Sequence, residues 1–168
     1  MASLIEELTT TLQQEEKIYQ NLIPIEEEKT QMIVSNNLES LSEITKQEQE
    51  FISEVNELEK KREEIVKNIA TVLGKESSKL TIRTIIELLK GQNEQKNLAR
   101  VYDTLTKTLD RVVSINEQNK ALIKQSLDMI EFNMNFYQSI QKANSNNYNK
   151  GAYSDNGTGP SGMFDAKQ

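Results

Sequence analysis

The chain has 168 residues, no cysteine, histidine or tryptophan, and a formal charge of −6. The missing cysteine excludes disulfides, thiolate metal sites and cysteine nucleophiles, and the missing histidine removes the commonest general base and metal ligand. The acidic balance argues against a nucleic-acid partner, and the bias toward Glu, Gln, Lys, Leu and Ile points to long helices.

The opening, MASLIEELTTTLQQEE, is acidic and lacks the basic start and apolar core of a signal peptide. No apolar run approaches the roughly 18 residues that would span a bilayer. A cytoplasmic chain without membrane insertion is expected. Residues 3–34 read as a first helix. Ile5, Leu8, Leu12, Glu15, Tyr19, Leu22, Glu26, Lys29 and Ile33 recur by threes and fours, and Leu4, Ile18, Ile25 and Met32 widen the stripe. Pro24 interrupts the pattern and predicts a kink.

Ser35-Asn-Asn37 supplies a turn and an N-cap. The second helix carries the clearest signal. Leu41, Ile44, Glu48, Phe51, Val55, Leu58, Arg62, Ile65, Ile69 and Val72 form an unbroken coiled-coil seam, and Gly74 stands in the usual place for a C-terminal stop. The turn is short, so helices one and two are antiparallel. Facing positions then have a constant index sum. A sum of 77 sets Ile33 against Ile44, Lys29 against Glu48, and Glu15 against Arg62. A sum near 73 would set Glu26 against Glu48, a like-charge pair.

KESSK reads as a connector, residues 81–90 as a short helix, and Gly91 as its C-cap. The third long helix is expected from about 93 to 144, with a seam of Leu98, Tyr102, Leu105, Leu109, Val112, Asn116, Asn119, Ile123, Ser126, Ile130, Asn133, Tyr137 and Ile140. Val101, Ile115, Leu122, Met129 and Phe136 flank it every seven residues. Asn116 and Asn119 put amides where the pattern calls for core. Three readings are open: cross-helix bonds that set register, a wet bundle edge, or a ligand contact. The expectation is the first. Residues 145–168 lose all period and read as a disordered tail after a helical domain of 1–144. The fold expected is therefore all-α: an elongated antiparallel helical bundle or coiled coil of three long helices, one short helix and that tail.

No catalytic constellation is present. The runs Glu26-Glu-Glu28 and Glu63-Glu64 read as solvated helix faces, so no enzyme activity, metal or cofactor is expected. The segment Met129–Ile140 is different. Met129, Ile130, Phe132, Met134, Phe136, Tyr137 and Ile140 cover more of the helix than one seam requires, and six of the nine aromatic residues lie at or after Phe132. Methionines and aromatics on such a surface suit capture of a partner helix. The alternatives are a cap on the bundle end or a dimer contact, which would make the chain a self-associating coiled-coil scaffold.

Taken in order, several features are similar to one known family: Glu15-Glu16 followed by Tyr19 and Leu22; Lys29, Ile33-Val34 and Asn37-Leu38-Glu39-Ser-Leu41; Leu58-Glu59-Lys-Lys-Arg62; and Asn116-x-x-Asn119-x-x-Leu122. Tyr148, Gly151, Met163-Phe164-Asp165 and Lys167 extend the match. The chain resembles the FlgN family of flagellar export chaperones over essentially its whole length. That resemblance implies a cytoplasmic, non-enzymatic chaperone of the flagellar type III export system. Its clients would be unassembled hook–filament junction proteins (FlgK and FlgL), delivered to the export gate. The family's client-binding part is C-terminal, which maps by position onto the end of the third helix, about Met129–Ile140, and into the tail.

Overall fold

The computed structural model describes the backbone of residues 1–151 and the side chains of residues 1–143. The chain divides into two compact units, Met1–Lys124 and Gln125–Gln168. All regular structure among the described residues is helical: α1 (Ala2–Val34), α2 (Leu38–Leu73), a single 3-10 turn at Ser77–Lys79, α3 (Ile82–Leu88) and α4 (Asn93–Gly151).

In the first unit, α1 buries Ile5, Leu8, Leu12, Glu15, Leu22, Glu26 and Ile33, seven of the nine expected seam positions. Pro24 lies inside the helix, where its missing N–H leaves one backbone bond unmade. The turn into α2 needs left-handed backbone at Asn36 (φ 54°), which asparagine tolerates better than branched residues do. Asn37 caps α2 by accepting the Ser40 amide at 3.1 Å. At the other end Gly74 takes φ +64°, and the Gly74 and Lys75 amides donate back to Thr71 and Ala70. We expect Gly74→Ala to destabilise the first unit by about 1 kcal/mol, since a Cβ is strained at that φ. The check is a lower urea midpoint with an unchanged slope.

The α1–α2 register is the one with index sum 77. Lys29 Nζ lies 2.7 Å from Glu48, Arg62 Nε lies 3.6 Å from Glu15, and Ile33 and Ile44 are both buried. Glu26 nevertheless also reaches Glu48. It sits one turn before Lys29 on the same face, so excluding the like-charge register did not keep the two carboxyls apart. Val72, expected in the α2 seam, is exposed, and Ala70 and Leu73 turn inward instead. A straight helix drifts off a strict heptad, and α3 draws the buried face with it.

Thr81 and Thr84 cap α3 reciprocally. The helix is shorter than expected. Leu89 is its C-cap, and Gly91 (φ +89°) serves the turn into α4 rather than ending α3. The core of the first unit gathers Ile5, Leu8 and Leu12 from α1, Ile65, Ile69 and Ala70 from α2, Leu80, Ile85 and Leu89 around α3, and Leu98, Val101 and Leu105 from α4. Here α4 runs parallel to α1. Thr108 meets Glu16, Arg111 meets Glu27 and Asn119 meets Glu26, so residue numbers broadly rise together along the two helices. Within its first 32 residues α4 keeps one buried stripe, with Val112 and Asn119 continuing it; Leu109 and Ile123, expected on the seam, lie at its exposed margin.

α4 ends at Gly151 and not near 144. No glycine or proline occurs between Gln92 and Lys150, so no backbone stop signal precedes Gly151. The expected tail, with Tyr153, Met163 and Phe164, lies outside the described residues from 152 onward.

Candidate functional site

Two features of α4 stand apart from an ordinary helix face. The first is a buried polar layer in the first unit. Asn119 is 1 % exposed, and its Nδ2 donates to the Glu26 carbonyl at 3.0 Å and to Glu26 Oε2 at 3.1 Å. Thr30 Oγ1 approaches Asn119 Oδ1 at 2.6 Å. Across on α2, Glu48 accepts from Lys29 Nζ with both oxygens, at 2.7 and 3.0 Å. The layer thus joins three helices through Glu26, Lys29, Thr30, Glu48 and Asn119. Burial, then the hydrogen bond and charge of Glu48, push the Glu26 carboxyl up to about 7; Lys29 and Asn119 pull it down by less.

Asn116 has a different setting. It is half-buried and makes no hydrogen bond among the described residues. The two amides look equivalent in the sequence, but among the described residues only the Asn119 side chain bonds to α1. We expect Asn119→Ala to cost about 2 kcal/mol, because it removes two hydrogen bonds to Glu26 from a buried site, and Asn116→Ala to change stability by under about 0.5 kcal/mol. Paired urea titrations read both.

A third buried carboxyl lies nearer the core. Glu15 is 2 % exposed, and its Oε1 accepts no hydrogen bond. Its pKa is raised, chiefly by burial; Arg62 lowers it and Glu59 raises it further. Arg62 also donates to Glu59 at 3.2 Å.

The second feature belongs to the second unit. Met129, Ile130, Phe132, Met134, Phe136, Tyr137 and Ile140 are all exposed, from 40 % for Ile140 to 69 % for Phe132. Leu127 joins them at 59 %. Sequence reading passed over it, although it stands three residues before Ile130. Within this run Phe136 and Tyr137 make an edge-on ring contact at 6.2 Å. Large apolar side chains left in water at this density are costly to the isolated chain.

Among the described residues no group of three or more carboxylates could hold a metal ion, and no helix is long and apolar enough to cross a membrane. The described residues thus give a helical scaffold with a buried polar layer in the first unit and a run of exposed apolar side chains in the second. The chain belongs to the FlgN protein family, whose profile matches residues 1–154. That family is one of flagellar export chaperones, and it is not enzymatic. A relative in Bacillus subtilis (strain 168), described as the uncharacterized protein YvyG, is 29% identical over 133 residues, 79% of each chain. No solved structure matches the chain significantly.

Proposed function

We propose that this chain is a cytoplasmic chaperone whose clients are unassembled hook–filament junction proteins of the FlgK and FlgL kind. It holds them through Met129, Ile130, Phe132, Met134, Phe136, Tyr137 and Ile140 and passes them to components of the export gate. The observation that carries this reading is the run of large apolar side chains left exposed between residues 127 and 140 in a member of a chaperone family. An apolar helix face costs free energy in water and gains it when a client helix covers it. Asn116 and Asn119 have a supporting part: on this reading they fix the register of α4 on the first hairpin, and the Asn119 bonds to Glu26 favour it for that residue.

The test is a pull-down from flagellated cells with the full chain and with a chain lacking residues 129–168. Recovery of a junction protein by the full chain alone is the expected result. Equal recovery by both would overturn the assignment to α4. The competing scaffold reading, in which the same face pairs two copies, predicts a dimer by light scattering at micromolar concentration; the chaperone reading predicts a monomer.

A further inference from the structure

Within the first unit, two stretches of α4 are held in different ways. Up to Leu105 the helix is anchored by apolar burial, with Leu98, Val101 and Leu105 in the core. From Thr108 to Lys124 only Val112 and Asn119 are buried, and Val112 stands outside that core. Ile115 and Leu122 are half-buried. Polar bonds tie this outer stretch to α1. Thr108 bonds to Glu16 at 3.1 Å, Arg111 to Glu27 at 2.7 Å, and Asn119 to Glu26 at 3.0 and 3.1 Å. The Arg111 pair is more than half exposed on both sides, so water weakens it. Where the two stretches meet, Thr104 and Thr106 turn their hydroxyls onto the carbonyls of Arg100 and Tyr102, at 3.0 and 2.8 Å. Such back-bonding loosens the helical ladder and favours a bend.

The layer that holds the outer stretch is short of positive charge. α1 presents Lys29 and Thr30 to it, α2 presents Glu48, and α4 presents the neutral Asn119. Lys29 gives its ammonium to both oxygens of Glu48. Two carboxyls therefore share one cation. The nearby α4 cations are engaged elsewhere, Arg111 with Glu27 and Lys120 with Glu117. One proton on the Glu26–Glu48 pair removes the excess negative charge. Lifting Asn119 away would admit water to Glu26, and the hydrated carboxyl would release that proton.

We infer that α4 from Thr108 to Lys124 is a latch that lifts off the α1–α2 hairpin while the core stays formed, and that a proton in the Glu26 layer holds it down. Proton binding and docking are then linked. Burial and Glu48 hold the docked Glu26 carboxyl at about 7, against an ordinary 4.5. The docked state keeps its proton where the open state has lost it. The proton's contribution to docking is full below the ordinary value and disappears as pH climbs through 7. This local opening is distinct from unfolding of the whole chain.

Thiol labelling of the full chain tests it, because the sequence has no cysteine of its own. Val112→Cys reports the outer stretch and Val101→Cys the core; both keep side-chain volume close to that of valine. Each variant reacts with an aromatic disulfide at pH 5.5 and 8.5, and each rate is divided by that of the urea-unfolded chain at the same pH. Val112→Cys should label faster than Val101→Cys at both pH values. Its normalised rate should rise by about 30-fold at pH 8.5 if opening returns Glu26 to its ordinary value. Adding Glu26→Gln should flatten that rise. Equal rates at the two positions would show that the chain opens only as a whole and would overturn the inference. A faster rate at Val112→Cys that ignores pH, or a rise that survives Glu26→Gln, would overturn it too, since the proton would then not be what holds the latch.

Discussion

Replacing Phe136 and Tyr137 together with serine should weaken client binding about 100-fold and leave the thermal midpoint of the isolated chain unchanged. The two rings are 55 % and 66 % exposed, so about half of each remains to be covered. Full burial of such a side chain is worth about 1.5–3 kcal/mol, and aromatic anchors often dominate helix-capture interfaces. About 1.5 kcal/mol from each ring gives the factor of 100. Among the described residues their ring contact is with each other, and every buried hydrophobic residue lies between Ile5 and Val112, so little folding free energy is lost. Calorimetric titration with a purified junction protein measures the first part and a melting curve the second. Unchanged affinity would remove these rings from the interface.

Stability should fall as pH rises from about 5 to 8, and Glu26→Gln should remove most of that dependence. The Glu26 carboxyl, pushed up to about 7 from an ordinary value of 4.5, keeps its proton in the folded chain over a range where the unfolded chain has lost it. The folded state therefore binds more protons between those values. The contribution is fully present below about pH 4 and is lost as pH climbs through 7. The size is on the order of 3 kcal/mol at most, since a tenfold change in proton affinity corresponds to about 1.4 kcal/mol. Glutamine reproduces the protonated carboxyl: its amide can donate to Glu48, and its carbonyl can accept from Asn119 Nδ2. The variant should match the parent near pH 5 and exceed it near pH 8. Glu15, raised chiefly by burial, adds a residual slope of the same sign. Urea unfolding at both pH values decides the matter. An undiminished slope in Glu26→Gln would mean that another group carries the proton.

The polar layer also shows where sequence reading met its boundary. Glu26, Lys29 and Glu48 were each placed on seams from spacing alone, and the Lys29–Glu48 pair followed from complementary charge at a constant index sum. That Glu26 would share Glu48 did not follow. A constant index sum pairs residues as points on a line, whereas one turn of helix brings both Glu26 and Lys29 within reach of a single side chain on α2. Asn119 and Asn116 make the same point. They are three residues apart on one stripe, and only the angle at which α4 meets α1 decides which amide is buried. Val72 exposed and Ala70 buried record a similar drift, too small to read from a heptad.

The sequence by itself determined the helices, their order, the N-cap at Asn37, the stop at Gly74 and the antiparallel register of α1 on α2. All but the register depend on local backbone chemistry or on periodicity along a single helix; the register needed only a short turn and opposite charges at facing positions. It also marked the apolar excess at 129–140, because a pattern too wide for one seam is visible without coordinates. Tertiary structure alone decided that α4 runs parallel to α1, that Asn119 bonds to Glu26, and that two carboxyls share one buried site. Those outcomes depend on how three helices approach one another in space, and the burial that raises the Glu26 pKa exists only once they have done so.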